Sequence, residues 1–168
     1  MLEFNQINRA KELEKELSNY RLWANMIPKT SWYTNLRTIL PEDEWVKIRK
    51  LVYNHFNYRC AICKSKGQLH AHESWIYDYE NSKQLLKDIL ALCYLCHMTQ
   101  HLGFVQVKLI TAGELTMEQI EDHWLSVNDN TTHSDFGKMV KNAFELWDLR
   151  SLTSWDVYDQ NGVLLSEL

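Results

Sequence analysis

Two C-x-x-C pairs, Cys60-Ala-Ile-Cys63 and Cys93-Tyr-Leu-Cys96, stand 29 residues apart and account for every cysteine in the chain. A fold that satisfies both must bring two tight turns together, each presenting two sulfurs to one point. Four thiolates fill a tetrahedral zinc shell and leave no open position, so the expected ion is a structural Zn2+. Four unligated buried cysteines are the bland alternative, and paired spacing of this kind disfavours it. Cys93-Tyr-Leu-Cys96-His97 also spells the C-x-x-C-H haem-attachment pattern. A covalent haem of that type needs export and would leave Cys60 and Cys63 unexplained. The N-terminal segment MLEFNQINRAKELEKEL mixes charges and has no apolar core of a signal peptide, and no apolar run reaches membrane-spanning length. The expected location is therefore the cytoplasm, where thiolate metal sites persist and disulfides do not.

With 168 residues, 45% of them hydrophobic, the chain can bury one real core. Seven tryptophans and eight tyrosines supply large rings, while two prolines and five glycines leave little for linkers. The net charge of -4 argues against nonspecific coating of nucleic acid, but the charge is unevenly spread. Residues 29–110 carry eleven Lys and Arg against seven Asp and Glu, and residues 111–168 carry three against eleven. A polyanion would be welcome only at the cysteine-bearing part. The acidic C-terminal part could cover that surface, bind a protein partner or keep the chain soluble.

Hydrophobic periodicity predicts an amphipathic helix over 5–20, with Ile7, Leu13, Leu17 and Tyr20 on one stripe. It needs a surface to pack on, either the core or a second copy in a homodimer. Pro41 followed by Glu42, Asp43 and Glu44 starts a second helix. Leu69–Asp78 and Lys83–Ala91 read as strands around a turn at 80–82, and Tyr94–Leu102 as a helix ending before Gly103. Thr116 with Gln119 forms a capping box, Ser134 and Asp135 open a further helix, and Asn161-Gly162 closes a terminal hairpin. The predicted fold class is α+β. It comprises an N-terminal helix (1–28), a zinc-bound strand-strand-helix core of treble-clef type (29–110) and a helical extension ending in a hairpin (111–168).

Inside the cysteine frame stand Leu69-His-Ala-His72-Glu73-Ser-Trp75, then Asp88, then His97-Met-Thr-Gln-His101. His97 and His101 are four apart on a predicted helix and share a face. His72 on a neighbouring strand would complete three neutral imidazoles around one point, a divalent-ion site with positions left for water and phosphate oxygens. His70 reads as facing the other side of the strand, as a reserve base. Trp32, Tyr33 and Trp75 could stack on bases, although large rings mostly serve packing. Arg37, Arg49, Lys50, Arg59, Lys64 and Lys66 are candidate phosphate contacts.

The stretch from Arg59 to Gly103 resembles the HNH endonuclease family, whose ββα-metal finger is often framed by two zinc-binding C-x-x-C pairs. The resemblance implies that His72, His97 and His101 bind a catalytic Mg2+-class ion. It puts Glu73 where the family has its general-base histidine, and Asp88 where it has an asparagine. A longer likeness runs from Trp32-Tyr-Thr-Asn-Leu-Arg37 through Ala71-His-Glu-Ser-Trp75 to the Trp147 and Trp155 region. It is to uncharacterised bacterial and phage HNH-like proteins. The implied activity is metal-dependent hydrolysis of phosphodiester bonds, with nucleic acid as partner, DNA ahead of RNA, contacted by Arg37, Arg59, Lys64, Lys66 and Trp75. The alternative is a catalytically inactive zinc-binding adaptor for nucleic acid or a protein.

Overall fold

The computed structural model describes residues 1–166. Helix α1 (Phe4–Leu17) buries Ala10, Leu13 and Leu17 on one face, as its periodicity requires. That face lies on α7 (His133–Arg150), the long C-terminal helix of the same chain. Arg9 donates to both carboxylate oxygens of Glu145 (2.7 and 3.1 Å), and Asn142 donates to Glu16 (3.0 Å), which fixes the two helices in register. The surface that α1 needed is thus supplied within the chain, and the N-terminal and C-terminal segments form one helical layer.

A strap from residue 18 to 35 links α1 to the short helix α2 (Leu36–Ile39) and to α3 (Glu42–His55). The strap is tied down through its backbone. Trp124 and Asn128 side chains both donate to the Leu22 carbonyl (2.7 and 3.1 Å), and Trp147 donates to that of Ile27 (2.9 Å). Trp124 belongs to α6 (Met117–Val127), whose start is the capping box of Thr116 and Gln119.

Strands β1 (Leu69–Asp78) and β2 (Lys83–Cys93) pair antiparallel, with a register shift between Ser74 and Trp75. Helix α4 (Tyr94–Gln100) follows β2 without a linker, and Cys93 is its N-cap. A short helix, α5 (Leu102–Phe104), and a π-helical turn over Val105–Leu109 extend the chain beyond it. The terminal hairpin, β3 (Asp156–Tyr158) and β4 (Leu164–Ser166), does more than close on itself. β3 pairs parallel with the start of β2, giving one four-stranded sheet in the order β1-β2-β3-β4. The fully buried Trp155 anchors this addition, with its ring edge-on to Tyr77 (5.0 Å) and its indole N–H donating to the Arg150 carbonyl (2.8 Å).

Arg150 itself is buried at the junction of sheet and helices. Its guanidinium lies 3.8 Å from the Tyr77 ring centroid, donates to the Tyr79 hydroxyl and to Asn25, and pairs with Glu14 at 3.2 Å. A buried cation with that many partners is costly to disrupt on one side only. The result is a single α+β domain in which the sheet, the α1/α7 layer and the strap share one core. No helix among the described residues is long and apolar enough to cross a membrane.

Candidate metal centres and cleft

The first cysteine pair sits in a knuckle between α3 and β1. Cys60 N–H donates to the Ser65 carbonyl (2.9 Å), and Lys64 N–H returns to the Cys60 carbonyl (3.1 Å), with Lys64 in the left-handed region at φ 65°. Ala61 N–H then docks the knuckle on β2 through the Ala91 carbonyl (2.7 Å). This brings Cys60 and Cys63 to the end of β2, where Cys93 and Cys96 stand, and all four sulfurs lie within 4.8 Å of one another. Cys63 and Cys93 Sγ are 3.5 Å apart, far beyond a disulfide bond and close to the ~3.8 Å edge of a tetrahedron with ~2.3 Å metal–sulfur bonds. Sulfurs so close share protons unevenly. Hydrogen bonds from Cys60 and Cys96 hold Cys93 far below the usual thiol range, while contacts with Cys60 and Cys93 push Cys96 up. The four cysteines can therefore bind a metal ion, and a divalent cation takes such a set as thiolates. Sequence reasoning missed a neighbour of the set: His123 of α6 places Nε2 3.2 Å from Cys96 Sγ. Only the contact between α4 and α6 reveals it.

Directly after Cys96, α4 carries His97 and is capped at its C-terminus by His101. Their rings stand edge to face at 4.6 Å, and His72 of β1 approaches them at 5.3 and 4.9 Å. One ring nitrogen from each of the three falls within 4.8 Å of the others. His97 Nδ1 is buried with no partner among the described residues, which is the condition of a lone pair awaiting a ligand. Burial keeps the rings neutral. It lowers His97 to about 3 and His101 to about 4, and His72 falls well below the ordinary value for the same reason, helped by the other two. A donor set of neutral imidazoles with an orphaned nitrogen fits a divalent cation.

These depressed values give the protein an acid-sensitive core. At any pH between the ordinary histidine value of ~6.5 and the folded values, the unfolded chain binds protons that the native one refuses. Stability is therefore full above pH ~6.5 and falls as pH drops toward 4, by up to ~1.4 kcal/mol per pH unit for each histidine. Urea unfolding of zinc-loaded protein, with no further divalent ion added, should show a progressive fall in midpoint as pH drops from 7.5. A flat profile would mean that the three rings are not buried neutral.

His70 does not face away as the sequence reading had it. Side chains two apart on a strand share a side, and His70 stacks on His97 at 4.9 Å with the planes 11° apart. Glu73, one residue on from His72, points by the same alternation to the other face. Because β1 is the edge strand, a cleft of about 510 Å³ wraps around it and is lined by both His70 and Glu73, together with His97, His101, Trp32, Arg37 and Arg49. Leu36 N–H donates to Glu73 Oε1 (3.0 Å), so α2 holds the carboxylate in place. Burial raises the Glu73 pKa against the opposing effect of its backbone hydrogen bonds. Tyr53 of α3 braces the cleft by donating to the Leu69 carbonyl (2.9 Å).

Comparison with protein-family models, curated proteins and solved structures returns no match. The chemistry must be argued from these residues alone.

Not every candidate arrives at the cleft. Trp75 is 5% exposed and belongs to the core, on the same strand side as the buried Tyr77. It offers no ring to a ligand. Asp88 lies opposite Ser74 at the register shift, is exposed, and accepts from its neighbour Ile89 N–H (2.7 Å), outside the histidine cluster and the cleft lining. Arg59 and Lys64 brace the knuckle, donating to the Lys64 and Ala61 carbonyls, and Lys66 bridges to Arg59. All three are exposed there, and of the six basic candidates Arg37 and Arg49 line the cleft.

Proposed function

We propose that the protein is a metal-dependent endonuclease of HNH type, with a treble-clef ββα finger held by zinc on Cys60, Cys63, Cys93 and Cys96. Phosphodiester bonds in nucleic acid are its substrate. The observation that carries the reading is the meeting of His72, His97 and His101 beside a cleft that also contains a fixed carboxylate, Glu73. A structural finger has no need of three buried neutral imidazoles with an unpaired nitrogen. His72, His97 and His101 would hold a Mg2+-class ion, which when bound supplies positive charge for the phosphorane and the leaving oxygen.

The chain's own residues do the rest. Glu73, oriented by Leu36 N–H through one oxygen, takes a proton from water with the other as the water oxygen bonds to phosphorus. The opposite P–O bond breaks, and its oxygen leaves to be protonated by solvent. A carboxylate is a weak base at its ordinary pKa, and burial brings it nearer to working pH. Neutral His97 and His101 are ligand-ready at the same pH, so base and ligand requirements do not conflict.

The test is incubation of purified protein with single- and double-stranded DNA and RNA at low ionic strength, with and without Mg2+ or Mn2+. Cutting is expected only with added ion, and His97→Ala should lose both the ion and the cutting. Wild-type protein inert on all four substrates with every ion, while retaining its zinc, would replace this reading with that of a zinc-finger adaptor.

A further inference from the structure

The cleft carries a feature that hydrolysis at the histidines does not use. Arg37 of α2 and Arg49 of α3 both line it, and both also line an adjoining smaller depression with Trp45 and Glu42 between them. Among the described residues neither arginine takes part in an ion pair, Glu42 included. Arg49 is half-buried, and its Nε is shielded from solvent with no hydrogen-bond partner. A guanidinium nitrogen stripped of water and left unpaired loses the free energy of hydration without return. An oxyanion presented to its planar fork restores it bidentately. At the mouth of the same cleft stands Trp32, 42% exposed, with Tyr33, 87% exposed, beside it in sequence.

Two arginines unpaired with any carboxylate among the described residues and an exposed indole, around a cleft of about 510 Å³, make a seat for one nucleotide. That volume lies within the range of pockets that enclose a single small ligand. A base pair inside a duplex has no free face to stack on Trp32, whereas an unpaired base has. We infer that Arg37 and Arg49 form a phosphate subsite for an unpaired nucleic-acid strand, with the adjoining base stacked on Trp32. The subsite rests on the nuclease reading for its purpose and not for its chemistry. It seats the phosphodiester next to the one at the histidines and so selects single-stranded or locally opened substrate. The +4 balance of residues 29–110, eleven basic against seven acidic, favours a polyanion on this side of the molecule.

Binding, measured without cutting, tests it. Fluorescence anisotropy of a labelled 12-nucleotide single strand and of its duplex is followed on zinc-loaded protein at several salt concentrations, with no other divalent ion. The single strand should bind more tightly than the duplex. Arg37→Gln and Arg49→Gln should each weaken it about tenfold or more and reduce the slope of log K against log salt by roughly one. Arg37→Lys should restore the slope, and Trp32→Ala should cost roughly 5- to 100-fold. Lys64→Gln and Lys66→Gln, in the knuckle, should change little. Inorganic phosphate should compete no better than chloride of equal ionic strength, which assigns the seat to a strand and not to the free anion.

Arg37 is exposed, so its variants remain decisive if Arg49→Gln fails to fold. Wild-type affinity and slope in Arg37→Gln, equal binding of duplex and single strand, or no binding of either would each overturn the subsite. Arginine-dependent binding of single strand by a protein that cuts nothing would leave the subsite standing and remove the nuclease reading. Cutting that is indifferent to both arginines would do the reverse.

Discussion

A strong chelator is expected to unfold residues 60–101 before the rest of the chain. Besides the cysteines, the knuckle, the Leu69 end of β1, the Cys93 end of β2 and the start of α4 are fastened by the Ala61 to Ala91 and Tyr53 to Leu69 hydrogen bonds and by the packing of α3 and α4 on their neighbours. Structural zinc on a site of this kind contributes ~10–16 kcal/mol of apparent free energy, as much as or more than the ~5–15 kcal/mol that separates a whole domain from its unfolded state. Cys93→Ser should have a similar effect, because it removes one of the four thiolates while leaving α4 a good N-cap residue. Hydrogen exchange with and without chelator reads the result directly. Protection should be lost first in β1, β2 and α4, while α1 and α7, joined through Arg9 and Glu145, hold longer. Unchanged protection across 60–101 after the metal is removed would show that the thiols are not what holds this region.

Glu73→Gln is expected to lower the cutting rate by ~10²–10⁴-fold while leaving the fold intact. Glutamine keeps the carbonyl oxygen that accepts from Leu36 N–H, so α2 stays in place, and it cannot take a proton from water. The sign of the stability change follows from the raised pKa. A carboxyl group whose folded pKa exceeds its unfolded value stabilises least above the folded value, where the buried carboxylate must carry its charge. Removing that charge makes the variant at least as stable as the wild type at pH 7. Thermal melts and initial rates on the same preparation separate the two effects. A variant that cuts at the wild-type rate would show that Glu73 is not the base and would leave His70, stacked on His97 in the same cleft, as the candidate.

What could be read from the sequence was short in range. C-x-x-C spacing, the i,i+4 pair His97 and His101, and the capping box at Thr116 are set by a few consecutive residues, and the elements they predict are present. The joining of His72 to His97 and His101 needed only that β2 run directly into α4. Features that depend on distant segments were not legible. Nothing in Asp156–Tyr158 announces a parallel pairing with Lys83–Leu85, because that ladder is stabilised by Trp155 packing on Tyr77 across the core. His123 reaches Cys96, and Leu36 N–H reaches Glu73, only through helix packing. Trp75 took the packing role that large rings mostly serve, and Asp88, placed by resemblance alone, lies exposed opposite Ser74 beside the irregularity. His70 was misplaced against the two-residue period of a strand, since its alternation with His72 puts both on one side.

Two donor sets in this chain could each hold a metal ion, and under the proposed function the one on the histidines serves the chemistry. The most direct measurement is paramagnetic resonance of Mn2+ titrated onto zinc-loaded protein, with the cutting rate followed on the same samples. One Mn2+ should bind per chain, the rate should rise in proportion to its occupancy, and His97→Ala should abolish both while Glu73→Gln abolishes only the rate. Mn2+ bound equally well by His97→Ala, or a rate indifferent to occupancy, would contradict the assignment.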